Sequence, residues 1–73
     1  MNRHHFVICV DNTDYEASLE RRKIYESTPS SNDARLGLLR VVDESGEDDL
    51  FPMDRFVPIE LPRKVEKELL RRS

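Results

Sequence analysis

The sequence predicts a mostly β protein, with a small five-stranded barrel over about residues 5–60 and a short C-terminal helix over about residues 62–72. Five short segments are rich in β-branched and aromatic residues and are separated by polar segments. A glycine-containing turn links the third segment to the fourth, and helical periodicity is confined to the C-terminal residues. Closely spaced short strands are typical of small closed barrels. An α+β arrangement of a hairpin and a helix is the alternative.

The first two strands are predicted at residues 6–10 (FVICV) and 23–27 (KIYES). Both segments are too short for a helix and lack its 3.6-residue period. The intervening residues 11–18 form a polar loop, and residues 19–22 begin a helical pattern that does not continue. Residues 28–33 (TPSSND) have the composition of a turn.

The third and fourth strands are predicted as a hairpin of residues 38–42 and 48–51. Gly46 tolerates the left-handed conformation of a tight turn between them. Pro52 has no N–H for a strand ladder, so it ends the fourth strand or lies at an edge. Residues 52–55 then fit one 3₁₀ turn before a fifth strand at residues 56–59.

The C-terminal helix is predicted from Pro62 onwards, because proline suits a first helical position. Its apolar residues Leu61, Val65 and Leu69 are spaced by four and share one helix face. We expect this apolar stripe to pack on the barrel and enlarge a small core. Arg71 and Arg72 lie in the last turn, where positive charge is favourable.

Length and composition exclude several classes of protein. The chain has 73 residues, 37% apolar and 37% charged, which indicates one domain spanning residues 1–73. Its single cysteine, Cys9, cannot form an internal disulfide, and no apolar run approaches the roughly 18 residues of a membrane span. We therefore expect a cytoplasmic protein with a free thiol and no membrane partner.

Charge is distributed unevenly along the chain. The total is 12 basic and 15 acidic residues, a net charge of −3. Residues 43–54 contain six acidic and no basic residues, whereas residues 55–73 contain six basic and three acidic residues. The net charges of these two segments are −6 and +3, so opposite charges are separated along the chain.

Three segments resemble parts of Src-homology-3 domains. Residues 50–57 (LFPMDRFV) resemble the closing segment, with an aromatic–proline pair, a 3₁₀ turn and an aromatic–valine strand. Residues 23–26 are similar to the second strand, and residues 8–15 to the first strand entering a long loop. Residues 11–61 are also similar to a group of short bacterial proteins that have Src-homology-3-like barrels and no assigned activity. The resemblance implies a five-stranded Src-homology-3-like barrel with a binding function.

The residues for catalysis or for a metal site are sparse. Cys9 has no basic neighbour in sequence to lower its pKa, and mid-strand cysteines are mostly small core residues. If residues 6–10 are extended, His5 and Cys9 lie about 13 Å apart, too far to bind one metal ion. With two glycines in total, the chain has no glycine-rich phosphate loop. We predict a protein that is not an enzyme and has no cofactor or metal.

Protein–protein interaction is the primary functional hypothesis. Signalling Src-homology-3 domains bind polyproline segments in an aromatic groove that includes a tryptophan, and this chain has none. Groove positions are expected for Tyr15, Pro52 and Phe56, with Asp48 and Asp49 attracting a basic partner.

The alternative is nucleic-acid or ribonucleoprotein association through the basic C-terminal helix. The residues of this patch are Arg63, Lys64, Lys67 and Arg71. Glu66 and Glu68 interrupt it in sequence, and the net charge of −3 disfavours a nucleic-acid partner.

Overall fold

The computed structural model describes residues 5–43 and 45–70, the last without its side chain. This part of the chain forms one antiparallel sheet and three short helical elements, which confirms the mostly β prediction. The strands are β1 (His5–Cys9), β2 (Ile24–Ser27), β3 (Leu38–Val42), β4 (Asp48–Pro52) and β5 (Phe56–Ile59). The helices are α1 (Ser31–Arg35), a 3₁₀ turn (Met53–Arg55) and α2 (Arg63–Leu70).

The strand order is β4-β3-β2-β1-β5, so β4 and β5 stand at the two ends of the sheet. Within residues 5–43 and 45–70 no backbone pairing joins them. The sheet is therefore open between β4 and β5, and the predicted barrel closure is not found. The reason lies in the hydrogen-bonding groups that the two end strands present outwards.

Both end strands offer few free N–H donors at their outward-facing positions. In β5, Pro58 lies opposite Val7, and the ladder alternation turns its backbone nitrogen away from β1. In β4, Pro52 again has no N–H, and the Leu50 N–H donates to Asp49 Oδ1 at 2.8 Å. Such edges resist pairing with any further strand.

The core lies on the inner face of the sheet, where both of its halves contribute. Its buried residues are Val7, Cys9, Leu19, Tyr25, Val41, Phe51 and Phe56. β2 meets β3 where Ser27 lies opposite Val41. The rings of Phe51 and Phe56, on the two end strands, lie 6.2 Å apart. The open sheet therefore folds over a single apolar cluster that joins its two ends.

The segment predicted as a turn at residues 28–33 instead leads into α1. The Ser30 hydroxyl accepts from the Asp33 N–H at 3.5 Å, which satisfies one unpaired donor of the first helical turn. The helix ends at Leu36, and Gly37 follows with φ of +73°. A serine three residues before an aspartate is a helix-start signal, and it outweighs the turn composition here.

The prediction that the apolar stripe of the C-terminal helix is buried on the barrel is wrong. Val65 and Leu69 remain 41% and 39% exposed, and neither belongs to the core cluster. Leu61 is half-buried. The core space that the stripe was expected to fill is occupied by the strands and by one loop residue. Arg71 and Arg72 lie outside the described residues.

That loop residue is Leu19, which is 1% exposed although it belongs to no strand or helix. Its N–H donates to the Tyr15 carbonyl at 2.8 Å, and its carbonyl accepts from Asn12 Nδ2 at 3.0 Å. Next to it, the Glu20 N–H donates to the Tyr25 hydroxyl at 2.6 Å. The long loop between β1 and β2 is thus anchored by one buried side chain and several hydrogen bonds.

Replacing Leu19 by alanine is expected to destabilise the fold by about 3 kcal/mol, because it removes buried methyl groups and leaves a cavity. Leu36→Ala is the matched control, since Leu36 is 73% exposed, and it should change stability by less than about 0.5 kcal/mol. Urea unfolding followed by circular dichroism measures both. Equal losses in the two variants would contradict the anchoring of the loop.

Candidate functional site

The predicted aromatic groove is only partly at the surface. Tyr15 is half-buried in the long loop, and its ring meets Phe51 edge-on with centroids 5.4 Å apart. Phe56 is 6% exposed and belongs to the core. Phe56 therefore offers little ring surface to a partner, and Tyr15 is the more accessible of the two aromatic residues.

Arg55 covers the ring of Tyr15. Its guanidinium carbon lies 5.7 Å from the ring centre, within the range of a cation–π contact. Nη1 lies 3.1 Å from Asp11 Oδ1, and the two groups form an ion pair. Nε lies 3.9 Å from Asp54. The Arg55 charge is thus compensated within the chain.

Asp11 is held in place by its own turn. Its Oδ1 accepts from the Thr13 hydroxyl at 2.7 Å and from the Thr13 N–H at 3.0 Å. These bonds lower the pKa of the Asp11 carboxyl, and Arg55 contributes less to the shift. Arg55 therefore links Tyr15 and Asp11 at the edge of the core.

Cys9 is a core residue, as its position in a strand predicts. Its thiol is fully buried, and this burial raises its pKa despite the nearby Arg55 guanidinium. A protonated, inaccessible thiol is a poor nucleophile and a poor metal ligand. Among the described residues, no three His, Cys, Asp or Glu side chains are grouped as a metal site.

The β3–β4 hairpin turns at Gly46, whose φ is +86°, as predicted. Asp43 Oδ1 organises the turn by accepting from the Ser45 N–H at 2.9 Å, the Ser45 hydroxyl and the Glu47 N–H at 3.3 Å. The Ser45 hydroxyl is the largest cause of a lowered pKa at Asp43. Asp43 is therefore a structural carboxylate.

Asp48 and Asp49 are both exposed, but they lie on opposite faces of β4. Asp49 lies opposite the buried Val41 and accepts from the Leu50 N–H. Its carboxylate therefore satisfies an outward-facing donor of this edge strand. Asp48 lies on the outer face, and its Oδ2 is 3.6 Å from Arg40 Nη1. Of the two predicted partner-binding carboxylates, Asp48 lies on the face that also carries Pro52.

Pro52 is half-buried on that outer face, opposite Leu38. Next to this pair the Met53 N–H donates to the Gly37 carbonyl at 2.9 Å, which brings Met53 close to the end of α1. Leu36 is 73% exposed and Met53 is 42% exposed. We call this surface the β3–β4 patch; it consists of Leu36, Leu38, Pro52 and Met53.

The surroundings of the β3–β4 patch are acidic. Arg40 lies between Asp48 and Asp33, with its Nε 3.9 Å from Asp33 Oδ2. On the other side, the side chain of Asp54 is 86% exposed. The charged side chains described beside the patch are thus the carboxylates of Asp33, Asp48 and Asp54 and the guanidinium of Arg40. The patch therefore combines exposed apolar side chains with a negative rim.

The sequence predicted Pro52 as a site residue but did not indicate its neighbours in the β3–β4 patch. The signal that indicates Leu38 is the hairpin turn, because equal counts back and forward from the turn place Leu38 opposite Pro52. Leu36 and Met53 carry no such signal. Their proximity depends on α1, which the turn-like composition of residues 28–33 conceals.

The predicted basic patch is exposed on α2 at Arg63, Lys64 and Lys67. Arg63 and Lys67 lie one helical turn apart, and Lys64 is next to Lys67 on the same side. Helical geometry places Glu66 and Glu68 on either flank of this basic stripe, although in sequence they interrupt it. Arg71, the fourth predicted residue, lies outside the described part of the chain.

Comparisons with known proteins found no match. No protein-family model matches the chain, and no curated protein or solved structure does. No helix in residues 5–43 and 45–70 has the length and apolar character needed to cross a membrane. The function of the patch and of α2 is therefore inferred from their own geometry.

Asp43→Ala is expected to destabilise the protein by about 1 kcal/mol at pH 7, because the turn loses a charged acceptor. The lowered pKa of Asp43 means that its ionised form stabilises the fold above the ordinary value of 3.8, and that this stabilisation is lost as pH falls through the lowered value. The difference between wild type and Asp43→Ala in urea unfolding should therefore shrink below about pH 4. A constant difference from pH 7 to pH 2 would contradict this assignment.

Proposed function

We propose that this chain is a small non-catalytic binding module that recognises another protein through the β3–β4 patch. The exposure of Leu36 and Met53 beside Pro52, within an acidic rim, is the observation that carries the proposal. Large exposed apolar side chains grouped together and bordered by charge are typical of interaction surfaces. The burial of the Cys9 thiol supports a role without covalent chemistry.

We also propose that the fold is a relative of the Src-homology-3 barrel. The strand order supports this, because β5 lies beside β1 and a 3₁₀ turn separates it from β4. The polyproline groove of the signalling members is a poor guide to the site, since the chain has no tryptophan and Phe56 is buried. The proposed site therefore lies on the outer face of the β3–β4 hairpin.

The mode of binding follows from the edges of the sheet. Strand addition requires free N–H and C=O groups along an edge strand. Pro58 in β5, and Pro52 with the capped Leu50 N–H in β4, remove most of the outward donors. A partner is therefore expected to dock by side chains, with an apolar anchor on the β3–β4 patch and lysine or arginine residues facing the rim.

The first test is capture of partners from a lysate of the source organism with tagged variants, followed by mass spectrometry. Leu36→Glu and Asp48→Lys should each reduce recovery of the specific partners by about tenfold or more, a loss of about 1.4 kcal/mol in binding. Glu16→Lys is the matched control, because Glu16 is exposed in the long loop outside the patch.

The same capture is divided into nuclease-treated and untreated halves. Partners that survive nuclease and are lost with Leu36→Glu but not with Glu16→Lys would support the proposal. Equal recovery with wild type, Leu36→Glu and Asp48→Lys would rule out the patch as the binding surface.

Nucleic-acid binding through α2 is the second candidate function, and the exposed stripe of Arg63, Lys64 and Lys67 favours it. Basic side chains that contact phosphates make affinity steeply salt-dependent. Replacing Lys64 and Lys67 together by alanine should weaken binding of a short fluorescent single-stranded RNA. It should also lower the slope of log affinity against log salt by about 1.4.

Fluorescence anisotropy over a salt series measures this slope. Arg21→Ala is the control, since Arg21 is an exposed basic residue in the loop between β1 and β2. A wild-type chain that does not bind the RNA at low salt would exclude this second function.

A further inference from the structure

We propose that the partner of the β3–β4 patch presents the C-terminal end of an α-helix, and that Arg40 recognises the free carbonyl groups there. This inference rests on the proposed function, because it states which chemical group of a partner the same surface takes. The last four carbonyl groups of a helix have no partner within that helix, and basic side chains are favoured in its last turn. The patch and its rim match both features.

Arg40 lies on the outer face of the β3–β4 hairpin, next to the apolar side chains of the patch. It lies opposite Leu50, and the neighbouring pair on the same face is Leu38 with Pro52. The Arg40 side chain is 37% exposed. A partner that docks on the patch therefore reaches its guanidinium, and arginine is frequent among the residues that dominate binding.

The N–H donors of Arg40 remain available to a partner. Two carboxylates compensate its charge, with Nη1 3.6 Å from Asp48 Oδ2 and Nε 3.9 Å from Asp33 Oδ2. Both distances exceed the range of an N–H···O hydrogen bond, about 2.7–3.2 Å. Within residues 5–43 and 45–70 the guanidinium is thus held by ion pairs alone, and its N–H groups are free to donate to an acceptor that approaches more closely.

These donors suit a neutral acceptor better than a carboxylate. A partner carboxylate placed at Arg40 would also face Asp33 and Asp48, and like charges at such a distance repel one another. A main-chain carbonyl accepts hydrogen bonds without a net charge. Several free carbonyl groups lie side by side at the C-terminal end of a helix, where the planar fork of a guanidinium can bind more than one of them.

The rim accounts for the basic residues of such a helix end. The side chains of Asp48 and Asp54 are 60% and 86% exposed. Lysine or arginine in the last turn of the partner helix lies beside its free carbonyl groups and can meet these carboxylates. Apolar side chains of the same turn can contact Leu36 and Met53, which are 73% and 42% exposed.

Fluorescence anisotropy with a synthetic peptide tests the inference on the full chain. The probe is an acetylated and amidated peptide, held helical by a side-chain staple, with two leucines and two lysines in its last turn. The comparison peptide has the reversed sequence, so the same side chains lie at the helix end that carries free N–H groups. Wild type should bind the probe at least about tenfold more tightly than the comparison peptide.

Variants of Arg40 separate hydrogen bonding from attraction by charge. Arg40→Met leaves Asp33 and Asp48 without their counter-ion, so attraction by charge alone would tighten binding of the basic probe. Recognition of carbonyl groups predicts the opposite, a loss of about tenfold or more. Arg40→Lys keeps the charge without the fork of donors, and it should also weaken binding. Arg21→Met is the matched control, because Arg21 is exposed in the loop between β1 and β2.

Weaker binding of the probe by both Arg40 variants, and not by Arg21→Met, would support the inference. Unchanged or tighter binding by Arg40→Met would overturn it, and so would equal binding of the two peptides by wild type. If circular dichroism shows that Arg40→Met is unfolded, the result with Arg40→Lys decides in the same way.

Failure of the inference is distinguishable from failure of the proposed function. A chain that binds neither peptide, but captures a protein from the lysate through Leu36 and Asp48, overturns the helix end as the ligand and leaves the binding module standing. A chain that binds neither peptide and captures no partner overturns both.

Discussion

The fold depends on the packing of Phe51, whose ring contacts both Tyr15 and Phe56. These contacts tie the long loop and both end strands to one point of the core, where backbone hydrogen bonds do not close the sheet. Because side chains alternate along β4, an inward Phe51 turns Pro52 outwards. The proposed binding surface is therefore a direct consequence of the core contact.

A small core makes each buried side chain important. A chain of 73 residues buries a smaller share of its surface than a larger domain does, so its stability depends on few contacts. Leu19 completes this core from a loop, and the hydrogen bonds of its own backbone hold it there. The helix α2 lies outside this core cluster, and its apolar residues Val65 and Leu69 remain 41% and 39% exposed.

The net charge of the acidic segment, residues 43–54, overstates the number of carboxylates that a partner can reach. Asp43 organises the hairpin turn, Asp49 caps an edge N–H, and Asp11 binds Thr13 and Arg55. Asp48 is more accessible, although Arg40 lies beside it. Electrostatic recognition by this chain therefore depends on where the carboxylates lie on the hairpin, and less on the net value of the acidic segment.

The sequence by itself determined the elements that depend on neighbouring residues: the five strands, the glycine turn, the 3₁₀ turn and the C-terminal helix. Side-chain alternation, the freedom of glycine and the restrictions of proline act within a few residues, so composition and spacing reveal them. Only the tertiary structure decided that Leu19 is buried, that Phe56 faces the core and that the stripe of α2 is exposed. Distant segments compete for one small core, and this competition determines the three positions. The spacing of neighbouring residues does not reveal which segment occupies the core.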